Sequence, residues 1–74
     1  MNPLIGTGFS ISIQMGLIQQ ALKEHNALTP NTAKTLEEIN IWHHMFNYSA
    51  IHMLMQNNII AQIGEDRYYL IQQI

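Results

Sequence analysis

Seventy-four residues suffice for one small domain built around a single core. Hydrophobic residues are 47% of the chain and charged residues 11%, which excludes intrinsic disorder and leaves the charge well below the roughly 25% of ordinary soluble domains. Net charge is −2 with Lys23, Lys34 and Arg67 as the cations, so a monomer has little with which to neutralise phosphates, and the absence of Cys removes disulfides, thiolate metal sites and thiol nucleophiles.

Residues 1–9, "MNPLIGTGF", hold Pro3, Gly6 and Gly8 without periodicity, and an extended or mobile lead-in is expected there. A single domain over 10–74 is expected to follow. Residues 1–22 carry no ionisable side chain. No cationic segment opens them, however, and Gln14, Gln19 and Gln20 interrupt the apolar run. Neither a signal peptide nor a membrane span is expected, and the reading is a soluble cytoplasmic protein.

From Ser10 a helical rhythm begins. Ile11, Met15, Ile18 and Leu22 recur at helical spacing, with Gln19, Gln20, Lys23 and Glu24 on the other side. Ser10 or Ser12 can cap the start, and Asn26 suits the left-handed stop. Gly16 costs a helix about 1 kcal/mol against Ala and would permit close approach of another element.

Pro30 ends any continuation and favours an extended Thr29, so a short strand is expected over residues 27–29. Thr35 with Glu38 three residues on is a capping box, and Glu37 and Glu38 both lie where a helix dipole favours negative charge. A short second helix is expected to start at Thr35 and to break at Asn40. Asn47 can cap a third helix from Tyr48 to about Asn57, with a single bent helix from about 41 to 57 as the rival. On the third helix Ile51, Leu54 and Met55 make the buried stripe, while Tyr48, His52 and Gln56 share another face with Ser49. "IIAQIGEDRYYLI" closes the pattern, with β-branched and aromatic residues around Gly64-Glu65-Asp66 signalling a hairpin.

The expected fold is therefore mainly α with a small β-hairpin: helix, short strand, helix, helix, hairpin. Across about residues 10–71 the chain resembles a small bacterial or archaeal winged-helix domain, most specifically in "TPNTAKTLEEI" and "LMQNNIIAQIGEDRYYL". The resemblance implies that helix 48–57 is the recognition helix and that Gly64 to Arg67 is the tip of the wing. It also implies nucleic-acid contacts from Tyr48, Ser49, His52, Gln56 and Arg67. The chain departs from that pattern in two places. Asn58 stands where a Gly usually ends the recognition helix, and Asn, Gln, Ser and His stand where Lys and Arg usually flank helix and wing. These amides and hydroxyls can hydrogen-bond bases and phosphates but neutralise none of the phosphate charge. Arg67 can be a phosphate contact or can pair with Asp66 or Glu65.

No chemistry-bearing motif emerges. His43 and His44 diverge on a helix, His52 lies further on, and no ligand spacing joins them, so no metal is expected; a metal or pH sensor built on these three is the most remote reading. Glu37, Glu38, Glu65 and Asp66 are explained as capping and turn residues, "GTG" at 6–8 lacks the rest of a phosphate loop, and no Ser or Thr has a partnered base. An enzyme, a cofactor and a small-molecule substrate are not expected.

Apolar surplus is the stronger signal. A core of this size holds roughly 12 to 15 large apolar side chains. Twelve Ile, five Met, six aromatics and the Leu residues exceed it, so part of the apolar surface must be exposed, which favours an interface, and Trp42, Met45, Phe46, Met53 and Met55 can contribute to it or fill the core. Leu4, Ile5, Phe9, Ile11, Trp42 and Phe46 are the candidate interface. The leading expectation is a non-enzymatic module that forms a homo-oligomer or docks a protein. A dimeric DNA-binding regulator is the alternative.

Overall fold

The computed structural model describes residues 10–41 and 48–71. They form helix α1 (Ile11–Glu24), a 3-10 turn (Pro30–Thr32), strand β1 (Lys34–Thr35), helix α2 (Tyr48–Gln56), and strands β2 (Ile60–Ile63) and β3 (Arg67–Leu70). The strands make one antiparallel sheet in the order β1-β3-β2. Two helices and a three-stranded sheet make the described fold mixed α and β. The expected mainly α chain with three helices is not what these residues form.

The helices follow their sequence signals. Ser10 caps α1, its hydroxyl accepting from the Ile13 amide at 3.3 Å, and Ile18 and Leu22 are fully buried. Gln14 joins them at 3% exposure, a polar residue among the apolar positions of the stripe. On α2 the buried side is Ala50, Ile51 and Leu54, with Met55 packed half-buried against the core. Gly16 does not serve a close approach: among the described residues nothing lies within 4 Å of a Cβ added there.

One device ends three segments. Asn26, Asn40 and Asn58 adopt φ of 59°, 64° and 59°. In each case the amide after Asn reaches back to a Leu carbonyl: Ala27 to Leu22, Ile41 to Leu36 and Ile59 to Leu54, all at 2.9 Å. The Asn amide itself bonds the next carbonyl, of Lys23, Glu37 or Met55, at 3.1 Å. This is the double-bonded left-handed helix stop, and each instance reads Leu, three residues, Asn, then an apolar residue.

The same device corrects the expected second helix. Thr35 and Glu38 do make the reciprocal capping box: the Thr35 amide donates to the Glu38 carboxylate at 2.9 Å and the Glu38 amide to the Thr35 hydroxyl at 3.1 Å. The Ile39 amide then closes one turn onto the Thr35 carbonyl at 3.3 Å. Asn40 stops it at once, so residues 36–40 are a capped turn and not a helix. A start signal and a stop signal stand too close for propagation to offset nucleation. Of the rival bent helix from about 41 to 57, Ile41 is buried and non-helical with its amide committed to Leu36, and 42–47 lie outside the described residues.

The expected strand at 27–29 moves to Lys34–Thr35. Pro30 instead opens the 3-10 turn, where the Thr32 hydroxyl accepts from the Leu28 and Thr29 amides at 3.1 Å. The hairpin forms as expected, with Ile63 opposite Arg67, Gly64 at φ 68° and the Gln62 side-chain amide donating to the Glu65 carbonyl at 2.8 Å.

β3 organises the whole. It lies between β1 and β2, and at its end the Leu70 amide donates to the Ala27 carbonyl at 2.7 Å and the Ile71 amide to the Ile59 carbonyl at 2.9 Å. Its last residues are thus tied to the exits of both helices. The core beneath unites Ile18, Leu22, Leu54, Ile60 and Tyr68. Among the described residues no helix is long and apolar enough to cross a membrane.

Candidate functional site

The first residue of α2, Tyr48, and the turn between β2 and β3 meet at one cleft. Because Ala50, Ile51 and Leu54 hold α2 to the core, helical geometry turns Tyr48, Ser49, His52, Met53 and Gln56 outward, and all five are exposed. The structure thus brings four of the five nucleic-acid candidates to one helix face. Met53, 41% exposed, belongs to that face too.

Arg67 is held elsewhere. Its guanidinium donates to the Ala33 carbonyl at 3.3 Å and lies 4.0 Å from the Glu38 carboxylate. Neither Asp66 nor Glu65 is its partner. The β1–β3 pairing explains this, since Thr35 stands opposite Arg67 and brings the Ala33–Glu38 segment within reach. Both charged groups remain about half exposed, so the pair is a weak surface tie. Donation from the Thr35 amide, aided by Arg67 and Lys34, lowers the Glu38 carboxyl below its ordinary 4.5.

Between α2 and the hairpin lies a cleft of about 180 Å³ lined by Thr35, Leu36, Glu37, Tyr48, Glu65, Asp66 and Tyr68. Three sequence-distant pieces build it. The capped turn contributes Leu36 and Glu37, the first residue of α2 contributes Tyr48, and the hairpin contributes Glu65, Asp66 and Tyr68. Burial, with smaller effects from Tyr48 and Asp66, raises the Tyr68 phenol above its ordinary 10.0. Glu37, Glu65 and Asp66 are exposed and have no ion-pair partner among the described residues. Lys34 and Arg67, the cations of the adjoining strands, are not in the lining. Sequence reasoning explained each of these carboxylates locally; only the strand pairing brings Glu37 to the hairpin.

Of the expected apolar interface, Ile11 is half-buried against the core. Leu4, Ile5, Phe9, Trp42 and Phe46 lie outside the described residues, as do His43 and His44. His25 is engaged through Nδ1 with the Ala21 carbonyl at 2.9 Å, and His52 is exposed. Among the described residues no three His, Cys, Asp or Glu side chains are arranged to hold a metal ion. Exposed apolar groups are present nonetheless: Ile13, Leu17, Tyr48, Met53 and Ile63. No protein-family model, curated protein or solved structure gives a significant match to this chain.

Proposed function

We propose that this chain is a non-enzymatic winged-helix module that docks a protein, a separate partner or a second copy of itself, through the face shared by α2 and the β2–β3 hairpin. The order of elements supports the winged-helix reading: helix, strand, capped turn, helix and hairpin, with β1 paired to the second hairpin strand. The capped turn of residues 36–40 stands where such a domain carries its second helix.

The observation that carries the docking reading is the charge of this face. Glu37, Glu65 and Asp66 line the cleft where a DNA-binding winged helix would meet phosphate, while Arg67 is turned toward Ala33 and Glu38. Negative charge there repels a polyanion, whereas exposed Tyr48 and Met53 are side chains that protein interfaces favour. The competing reading, a dimeric DNA-binding regulator, rests on the shared exposure of Tyr48, Ser49, His52 and Gln56.

Two titrations of isotope-labelled protein test the choice. Raising its concentration, with light scattering in parallel, should perturb α2 and hairpin amides if a second copy docks there. If a separate protein docks instead, the chain stays monomeric and Met53→Glu abolishes that contact. Duplex DNA at low salt should leave these amides unmoved. DNA shifts confined to residues 48–56 and 64–68 that vanish at about 200 mM salt would establish the regulator instead.

A further inference from the structure

We propose that a second copy of this chain packs antiparallel against the outer face of α1, with Leu17 of each copy seated over Gly16 of the other. This contact uses a different helix from the α2–hairpin face and goes beyond the docking reading of that face.

The helix is apolar on two sides. Gln14, Ile18 and Leu22 are its buried positions. Helical spacing gathers Ile13, Gly16, Leu17, Gln20 and Glu24 on the opposite side, and all five are exposed. The solvent face of a helix is ordinarily polar or charged, yet here Ile13 is 52% and Leu17 37% exposed, one turn apart. Gly16 beside them weakens a helix relative to Ala. Among the described residues nothing lies within 4 Å of a Cβ added there, so no contact among them accounts for the Gly. Close approach of a second helix does.

Three features select a copy of α1 as the occupant. The spacing is self-complementary. A two-fold axis midway between Gly16 and Leu17 sets each Leu17 over the Gly16 notch of the other copy and each Ile13 against the methylenes of Gln20. The face is also uncharged, since no ionisable side chain lies between Ser10 and Leu22, and two such faces meet without repulsion. The helix ends match as well. The first turn of α1 holds no acidic residue. The antiparallel register brings to that positive end the other copy's Glu24, whose carboxylate is held by the Gln20 side-chain amide at 3.0 Å. The 14 residues of α1 span about 21 Å, which offers less than the roughly 800 Å² per partner of a stable complex. The pairing is therefore weak and depends on concentration.

Sedimentation equilibrium of the full chain from micromolar to millimolar should show a mass rising above 8.5 kDa. Leu17→Glu should weaken the association roughly tenfold or more, and a dilute thermal melt checks that this exposed position tolerates it. Gly16→Ala should raise the melting temperature of the dilute chain while weakening the pairing several-fold, opposite signs that a purely structural role for Gly16 does not produce. Because the chain lacks Cys, Lys23→Cys gives a single attachment point for a nitroxide. Mixed with isotope-labelled parent protein, the nitroxide-bearing chain should broaden amides near Ile11 in the antiparallel arrangement. Broadening near Lys23 or on α2 and the hairpin, undiminished association of Leu17→Glu, or a monomer at every concentration would each overturn the proposal. With a monomer, a lower melting temperature for Leu17→Glu would assign the face to another part of the chain, such as residues 1–9, and an unchanged one would leave it to a separate protein. Association through α1 occurs whichever partner α2 takes, so the residues broadened, and not the mass, tell the two contacts apart. Met53→Glu should abolish docking at α2 and leave the α1 pairing unchanged.

Discussion

Asn26, Asn40 and Asn58 show how much a single residue decides here. A left-handed backbone costs an ordinary L-residue about 1–2 kcal/mol, less for Asn, and nothing comparable for Gly. Asn40→Ala should therefore lower stability by about 1 kcal/mol, and Asn40→Gly should be neutral or slightly stabilising, as read from urea denaturation. All three stops were legible, because Asn followed by an apolar residue after a helical run is a local signal. Glu38 makes a second prediction at this scale. Its carboxyl is lowered by the Thr35 amide first, with Arg67 and Lys34 adding to it. The stability it contributes is thus fully present above 4.5 and is lost as pH falls through its lower, folded value. Denaturation midpoints should drop across that acid window in the parent and less so in Glu38→Gln. Salt should weaken only the share owed to Arg67 and Lys34, leaving the share from the backbone amide.

At the scale of elements, legibility depended on whether the signal was local. Both described helices and the hairpin carry periodicity or turn chemistry that needs no tertiary partner. The residues 36–40 mislead because their start signal is real and satisfied, but Asn40 stops the segment after one turn. β1 could not be read: Lys34–Thr35 has no alternation to detect, and it is a strand only because Tyr68 and Arg67 pair with it. Two substitutions separate burial from helix propensity. Leu54 has no exposed surface, so Leu54→Ala should cost about 2–5 kcal/mol, enough to unfold much of a small domain. Among the described residues nothing lies within 4 Å of a Cβ added at Gly16, so Gly16→Ala should stabilise by roughly 0.5–1 kcal/mol. A loss on thermal melting would mean that something outside the described residues approaches Gly16 closely.

The whole molecule shows why charge argues more about function than any motif does. With three cations per chain, any binding to duplex DNA should show a salt slope no steeper than about −3 for a monomer, measured by fluorescence anisotropy across salt concentrations. A steeper slope would require a dimer on the DNA. The candidate cleft was invisible at this scale for a related reason. Glu37, Glu65 and Asp66 each have a sufficient local explanation, and the sequence contains no hint that the capped turn and the hairpin are neighbours. The α2 face was visible, because helical spacing alone groups Tyr48, His52 and Gln56.

The position of β3 bears on how the chain acquires its shape. This central strand follows both of its neighbours along the chain, so during synthesis neither β1 nor β2 has anything to pair with until residues 67–70 have emerged. Every ladder bond then forms in one late closure, along with those from Leu70 to Ala27 and Ile71 to Ile59. Before that moment the nascent chain exposes two apolar helix stripes and two unpaired edges, the state in which chains of this kind aggregate. Afterwards the Leu70 and Ile71 amides join the sheet to both helix exits, which couples their opening. Amide hydrogen exchange at Leu70, Ile71 and the β3 ladder should accordingly report a single opening free energy.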